Sequence, residues 1–203
     1  MMYKLYLLLF ALVSFLFLKS QEIQQPFSGN GRLIHSLNGE AWELVSARPG
    51  VGEAQGFYNN GYPQKSIIPA KVPGDIHWDL ERAGELPDLF IAMNAKQAYE
   101  LPLREWWYRK SFVVADAWRH KQMRLHFAAV DYATKIWING KYLGRHEGQF
   151  TPFEFDVTDK VKIGELNELI ILIEPAPENV IKKLFSPRTQ INRQYAMDEV
   201  SNT

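Results

Sequence analysis

Asp131-Tyr132-Ala133-Thr134-Lys135-Ile136-Trp137-Ile138-Asn139-Gly140-Lys141-Tyr142-Leu143-Gly144 is the stretch from which the fold can be read. Residues 134–138 are mostly apolar or β-branched, and residues 141–143 resume after Asn139-Gly140. An Asn-Gly link between two such runs marks a hairpin, because both central residues of the turn it favours need positive φ. The chain on either side continues in the same manner. Met123, Leu125 and Phe127 alternate with Arg124 and His126, as in a strand with one wet face. Residues 107–114 are rich in aromatic and β-branched side chains, and Phe150, Phe153 and Phe155 crowd a further strand. Residues 169–173 form an unbroken apolar run closed by Glu174-Pro175, which predicts a strand covered on both sides.

Upstream, Trp42, Leu44 and Val45 supply a first strand within residues 36–46. Residues 48–69 hold four glycines, several prolines and Asn59-Asn60, a density of turn formers that reads as a long surface loop. One short helix follows: Asp75 can cap it, residues 76–83 fill it, and Gly84 stands where a left-handed terminating residue is wanted. Asp75, Asp79, Glu81 and Glu85 then read as the cap and solvated face of that helix. Short strands, close turns and a single short helix make an all-β antiparallel sandwich the expected architecture.

The chain has 203 residues, 46% of them hydrophobic, with 23 basic against 23 acidic side chains. A net charge of zero offers no long-range attraction to nucleic acid or to anionic lipid. There is no cysteine, hence no disulfide frame and no thiolate metal site. Lys4, the apolar run 5–18 interrupted only by Ser14, and the polar exit Lys19-Ser20-Gln21 have the form of a secretory signal peptide. The expected organisation is therefore a signal peptide at 1–20, a lead-in at 21–37, a β-sandwich at 38–177 and a C-terminal segment at 178–203 without a further strand. The expected location is periplasmic or extracellular, with no membrane attachment after cleavage. His35, His77, His120, His126 and His146 form no close pair, and neither a phosphate-cradling glycine loop nor a Gly-x-Ser-x-Gly turn is present. No metal or cofactor is expected.

Residues 131–144 resemble the hairpin of the sugar-binding domain in glycoside hydrolase family 2. The likeness continues through Arg145-His146-Glu147-Gly148-Gln149-Phe150-Thr151-Pro152-Phe153-Glu154-Phe155-Asp156-Val157-Thr158 and through Gly164-Glu165-Leu166-Asn167-Glu168-Leu169. Pro73-Gly74-Asp75-Ile76-His77 and Trp106-Trp107-Tyr108-Arg109-Lys110-Ser111-Phe112 look most like the β-mannosidase branch. The resemblance implies a jelly-roll, galactose-binding-domain-like sandwich whose final strand would lie beyond Thr203. It also implies a parent enzyme that hydrolyses β-mannoside-type glycans.

Retaining glycosidases need two carboxylates about 5 Å apart. In the family both lie on a (β/α)₈ barrel further along than residue 203, so no catalytic residue is expected in this chain. The barrel would act in cis or in trans. Glu147 and Asp131 stand nearest to a motif context, with nothing in the sequence to pair them. Where the branch often has Asn-Glu, this chain has Asn94-Ala95. The branch's Trp-Asp-Trp-Gly-Pro-Arg stretch, which lines a sugar subsite, is absent: Arg193-Gln194-Tyr195 could approach it, but Asp198-Glu199-Val200 is not that motif. Asn94, Trp106 and Trp107 remain as candidate substrate-binding residues. Two other readings stay open. One is a free-standing secreted carbohydrate-binding module with Trp42, Trp106, Trp107 or Trp118 as platforms; the other is a protein–protein module that assembles with a separate barrel.

Overall fold

The computed structural model describes residues 33–177. The signal segment 1–20, most of the 21–37 lead-in and the 178–203 segment with Arg193-Gln194-Tyr195 lie outside those residues. The chain divides into two units, Met1–Leu37 and Asn38–Thr203. Residues 33–37 of the first carry neither strand nor helix, and everything below belongs to the second.

Eight strands run through the described residues: β1 (Gly39–Ala47), β2 (Ile68–Val72), β3 (Glu105–Val113), β4 (Arg124–Phe127), β5 (Ala133–Ile138), β6 (Lys141–Glu147), β7 (Phe153–Asp156) and β8 (Leu166–Ile173). Two short α-helices, α1 (Val51–Ala54) and α2 (Ile76–Arg82), and two 3-10 stretches, Ala92–Leu103 and Asp116–Trp118, complete them. Six strands form one sheet in the order β2-β1-β3-β8-β5-β6, and β4 pairs with β7 in a second. Every strand pairing within the two sheets is antiparallel.

The Asn139-Gly140 link forms the expected hairpin between β5 and β6, with φ of 50° and 75° at its two residues. Asn139 does more than turn the chain. Its side-chain amide donates to Lys160 O and Asn167 Oδ1, both at 2.8 Å, and its Oδ1 accepts from Glu168 N at 3.0 Å. The hairpin tip is thereby fastened to the start of β8. That strand lies between β3 and β5, and Leu169, Ile170, Ile171 and Leu172 are all buried, as an unbroken apolar run requires.

Cross-strand partners share a face of the sheet, so the register assigns each side. One face carries Leu44, Tyr108, Ile171, Ile136 and Gly144. The two-stranded sheet covers it: the His146 ring stacks on Phe153 at 4.0 Å, and a Cβ on Gly144 would come within 2.5 Å of the Phe155 ring. Phe150, expected beside Phe153 and Phe155, instead lies outside the strand and is almost fully exposed.

The other face carries Val45, Trp107, Leu172, Ile170 and Trp137. Residues 48–67, expected to be a surface loop, cover it. Phe57 and Tyr62 are buried in one cluster with Val45, Trp107, Trp137, Ile170 and Leu172, and Tyr58 and Ile67 pack against that cluster. Tyr58 stacks on Trp137 (ring centroids 5.4 Å apart), Trp137 stacks on Trp107 (5.5 Å), and Phe57 meets Trp107 edge-on (5.5 Å). The glycines that make this segment look like a loop permit close approach instead. A Cβ at Gly52 would stand 2.4 Å from the Trp107 indole. The segment also holds α1, so the single expected helix becomes two, and it leads into β2, whose Pro69 fits an edge strand paired on one side only.

One buried carboxylate fixes this cover. Glu105 accepts from Gly50 N at 2.8 Å, Gly52 N at 2.6 Å and Trp107 Nε1 at 3.0 Å. It neutralises free amides at the start of α1 and orients the indole on which the segment packs. Replacing Glu105 by Ala leaves Gly52 N and Trp107 Nε1 buried without an acceptor, and we expect a loss of about 3 kcal/mol in urea denaturation. A change below about 1 kcal/mol would mean that water replaces the carboxylate.

At the end of β7, Asp156 accepts from Thr158 N at 2.9 Å and from Gln122 Nε2 at 3.1 Å, while Thr158 Oγ1 accepts from Met123 N at 3.0 Å. The Thr158 bonds, with that of Gln122, hold the Asp156 carboxyl down at about 2. A depressed carboxyl stabilises the fold above its ordinary value of 3.8 and loses that contribution as the pH falls toward 2. The stability gap between the wild-type chain and Asp156→Ala should therefore be constant near neutrality and close below pH 3.8, as read from melting curves across pH. A gap that widens on acidification contradicts the assignment.

Candidate functional site

Pro73-Gly74-Asp75-Ile76-His77 turns β2 into α2. Asp75 takes the N-cap position, its Oδ1 accepting from His77 N at 2.7 Å and lying 2.6 Å from His77 Nδ1. Gly84, at φ 75°, ends the helix as expected. Asp79 departs from expectation. It is fully buried rather than part of a solvated face; its Oδ1 accepts from Lys71 N at 3.2 Å and pairs with Arg82. This carboxylate ties α2 to β2. Burial pushes its pKa up, against the pull of the Lys71 amide and the Arg82 guanidinium. Burial likewise raises the Tyr108 hydroxyl, and the neighbouring charges of Asp79 and Asp75 raise it further.

Beyond α2 the chain folds back on the helix, with Glu85 N and Leu86 N both donating to Leu80 O, and Leu80 and Leu86 are buried. A braced turn follows. Asp88 Oδ1 accepts from Phe90 N at 2.8 Å, Asn94 N donates to Ile91 O at 3.1 Å, and Asn94 Nδ2 donates to Asp88 O at 2.9 Å. This backbone holds Phe90 at 94% exposure and Ile91 at 58%, while Trp78 on α2 is 61% exposed. The stretch ends where Trp106 Nε1 donates to Leu101 O at 3.0 Å and Ala176 N donates to Pro102 O at 2.8 Å.

The candidate residues thus separate. Asn94 is half-buried and braces the turn at residues 88–94. Trp106 is buried with its indole nitrogen bonded, and Trp107 has no exposed surface at all. Neither presents a ring face at the surface, nor does buried Trp42, and Trp118 is half-buried in the 3-10 turn Asp116–Trp118. Glu147 pairs with Arg145, and Asp131 Oδ2 accepts from Gln149 Nε2 at 3.1 Å, so the two carboxylates have different partners. Glu43 and Glu168 both pair with Arg109, whose guanidinium lies 4.2 Å from the Tyr62 ring centroid. Among the described residues no group of His, Asp and Glu could hold a metal ion.

The sequence reading missed Glu105, Asp79 and the outward turn at Phe90-Ile91. A carboxylate directly before Trp106-Trp107, inside a strand pattern, was the available signal for Glu105. Exposure of Phe90 and Ile91 depends on a backbone path that periodicity does not reveal.

The family model described as glycosyl hydrolase 2 galactose-binding domain-like matches residues 54–200. A β-glucuronidase of Paenibacillus borealis is 31% identical over 142 residues, covering 70% of this chain and 21% of that protein. A β-mannosidase of Rattus norvegicus is 30% identical over 112 residues, covering 54% of this chain and 12% of that protein. Among solved structures, the β-D-mannosidase of Dictyoglomus thermophilum superposes with a TM-score of 0.59 at 30% identity, over 72% of this chain and 16% of that one. The chain therefore spans between about a tenth and a quarter of the length of these relatives.

Replacing Asp79 by Ala should cost about 2 kcal/mol, because a backbone amide and an arginine lose their acceptor at a buried site. Asp75→Ala should cost about 1 kcal/mol, the usual worth of an N-cap. Denaturation of both variants checks the order; equal losses would put Asp79 on the solvated face after all.

Proposed function

We propose, since the chain belongs to the glycosyl hydrolase 2 galactose-binding domain-like family, that its sandwich is the non-catalytic N-terminal domain of a β-mannosidase-like family 2 glycosidase. The hydrolytic carboxylates would be carried by a (β/α)₈ barrel, joined to it in cis or assembled with it in trans. The observation that carries this reading is the family match over residues 54–200, together with the state of the buried acids. Both oxygens of Glu105 accept from backbone amides that hold the fold, an arrangement suited to a scaffold, and Asp79 Oδ1 is likewise bonded to Lys71 N.

The β-mannosidase branch is favoured by residues 73–77 and 106–112 and by the likeness to the rat and Dictyoglomus enzymes. Export is supported by the apolar run 5–18 behind Lys4 and the polar exit Lys19-Ser20-Gln21. Of the three substrate-binding candidates, Asn94 alone keeps a side chain near the surface, so a loan from this domain to a sugar subsite would come from there. The free-standing carbohydrate-binding alternative has lost its aromatic platforms at Trp42, Trp106 and Trp107.

The purified chain should release no 4-nitrophenol from the 4-nitrophenyl β-mannoside, β-galactoside or β-glucuronide above the buffer rate. Titration with mannobiose should likewise give no heat at millimolar sugar. Turnover by the chain alone, abolished by changing one of its carboxylates, would sink the non-catalytic reading. Saturable sugar binding would restore the carbohydrate-module alternative.

A further inference from the structure

We propose that Asn60 is a modification site of this chain: its side chain is converted through a succinimide to aspartate and isoaspartate, and the conversion loosens the segment 48–67 that covers the Trp107 face of the sheet. Three Asn-Gly pairs lie among the described residues, at 38–39, 60–61 and 139–140. Asn-Gly is the pair most open to this chemistry, because glycine puts no side chain in the path of its own amide nitrogen. In sequence the three pairs are alike; in the fold they differ.

Asn139 is held shut. Its side-chain nitrogen donates to Lys160 O and Asn167 Oδ1, both at 2.8 Å, and its Oδ1 accepts from Glu168 N at 3.0 Å. The side chain cannot swing toward Gly140 N without breaking all of these bonds. Asn38 is half-buried and precedes Gly39, which pairs with Val72 in the sheet. Asn60 is exposed, in a turn closed by Tyr62 N donating to Asn59 O at 3.4 Å, near the long limit of such a bond. The attacking atom, Gly61 N, is restrained by a single bond, to Gly56 O at 3.1 Å. Nor can the fold dispense with Gly61, where a Cβ would stand 1.8 Å from Gln55 O. The packing of the cover segment therefore keeps the reactive pair in place.

The step needs no co-reactant but water. Gly61 N attacks Asn60 Cγ and a C–N bond forms. The bond from Cγ to the side-chain nitrogen breaks, and that nitrogen leaves as ammonia with the proton given up by Gly61 N. In the ring Gly61 has no N–H, so its bond to Gly56 O is lost. Water then opens the ring at one carbonyl or the other, leaving aspartate or isoaspartate at position 60. Isoaspartate lengthens the backbone by a methylene just ahead of Tyr62, whose ring is buried and whose hydroxyl donates to Trp107 O at 3.0 Å. On the other side, Asn59 Cγ lies 3.2 Å from where a Cβ of Gly140 would stand, so the lengthened turn also meets the tip of the β5–β6 hairpin. Close packing of this kind does not absorb an added methylene without displacement.

The test incubates the full 203-residue chain at mildly alkaline pH, folded and in urea. Peptide mass spectrometry locates each deamidated asparagine, and methylation by an isoaspartate methyltransferase identifies the product. In the folded chain Asn60 should react first, with isoaspartate among its products, and Asn139 at least about tenfold more slowly, because its hydrogen bonds must open beforehand. In urea the difference should vanish. The aged chain should then unfold at lower urea concentration than aged Asn60→Gln, although the two match when fresh. Asn60→Asp, which adds the charge without the methylene, should stay close to the fresh chain. Asn139 or Asn38 reacting ahead of Asn60, or Asn60 intact in the fold while it reacts in urea, overturns the site. An aged chain as stable as the fresh one, or a loss in Asn60→Asp as large as that on ageing, overturns the loosening of the cover by the lengthened backbone.

Discussion

A six-stranded sheet has two faces to bury, and here only one of them is covered by strands. The other is covered by residues 48–67, a segment with a four-residue helix and little other regular structure. Everything on that side depends on how the segment is held, and the holding is done by the Glu105 carboxylate. It receives two backbone amides from the segment and the Trp107 indole nitrogen from the sheet, so one buried charge joins cover and core. A charge in such a place is tolerable only when its oxygens are bonded. The aromatic stack of Phe57, Trp107, Trp137 and Tyr58 then supplies the apolar burial that the segment's own backbone cannot.

This division explains which features could be read from the sequence. The hairpin at Asn139-Gly140, the cap at Asp75, the stop at Gly84 and the doubly covered β8 all depend on local rules: a turn's sign of φ, a side-chain oxygen near free amides, an unbroken apolar run. Those rules hold wherever the chain goes afterwards, and the resemblance to the family rested on the same stretches. Residues 48–67 obey the local rule for a loop, and they are one in backbone terms. Whether a loop lies in water or over a core is decided by partners about fifty residues away in the chain, Glu105 and Trp107, which no windowed reading joins to it. Asp79 was misread for a related reason. Its place on α2 is visible in the sequence, but the side of α2 that faces β2 is set by Lys71 and the turn at Pro73.

The tryptophans show the same limit from the functional side. Six of them in a chain of a glycosyl hydrolase family invite a reading as stacking platforms. Trp42, Trp106 and Trp107 instead fill the two faces of the sheet, so that the most aromatic part of the chain is the least available to a ligand. In a sandwich of this size the aromatic payload is needed for the core, because no disulfide contributes to its stability. What would be a binding signature on a surface is here a consequence of having a sheet to cover on both sides.

The placement of the polar groups points the same way. Arg109 is flanked by Glu43 and Glu168 across three strands and lies over Tyr62, so its charge is matched where the cover segment meets the sheet. Lys135 does the same at the other end, bonding Glu53 of the segment at 2.7 Å with Glu174 also near. These pairs fasten residues 48–67 at its margins as Glu105 does at its centre. Charges arranged to close on one another leave little field directed outward. The charged pairs thus close on one another at the seam between the cover segment and the sheet. At residues 88–94 hydrogen bonding is used differently, closing a turn whose Phe90 and Ile91 side chains lie away from the core.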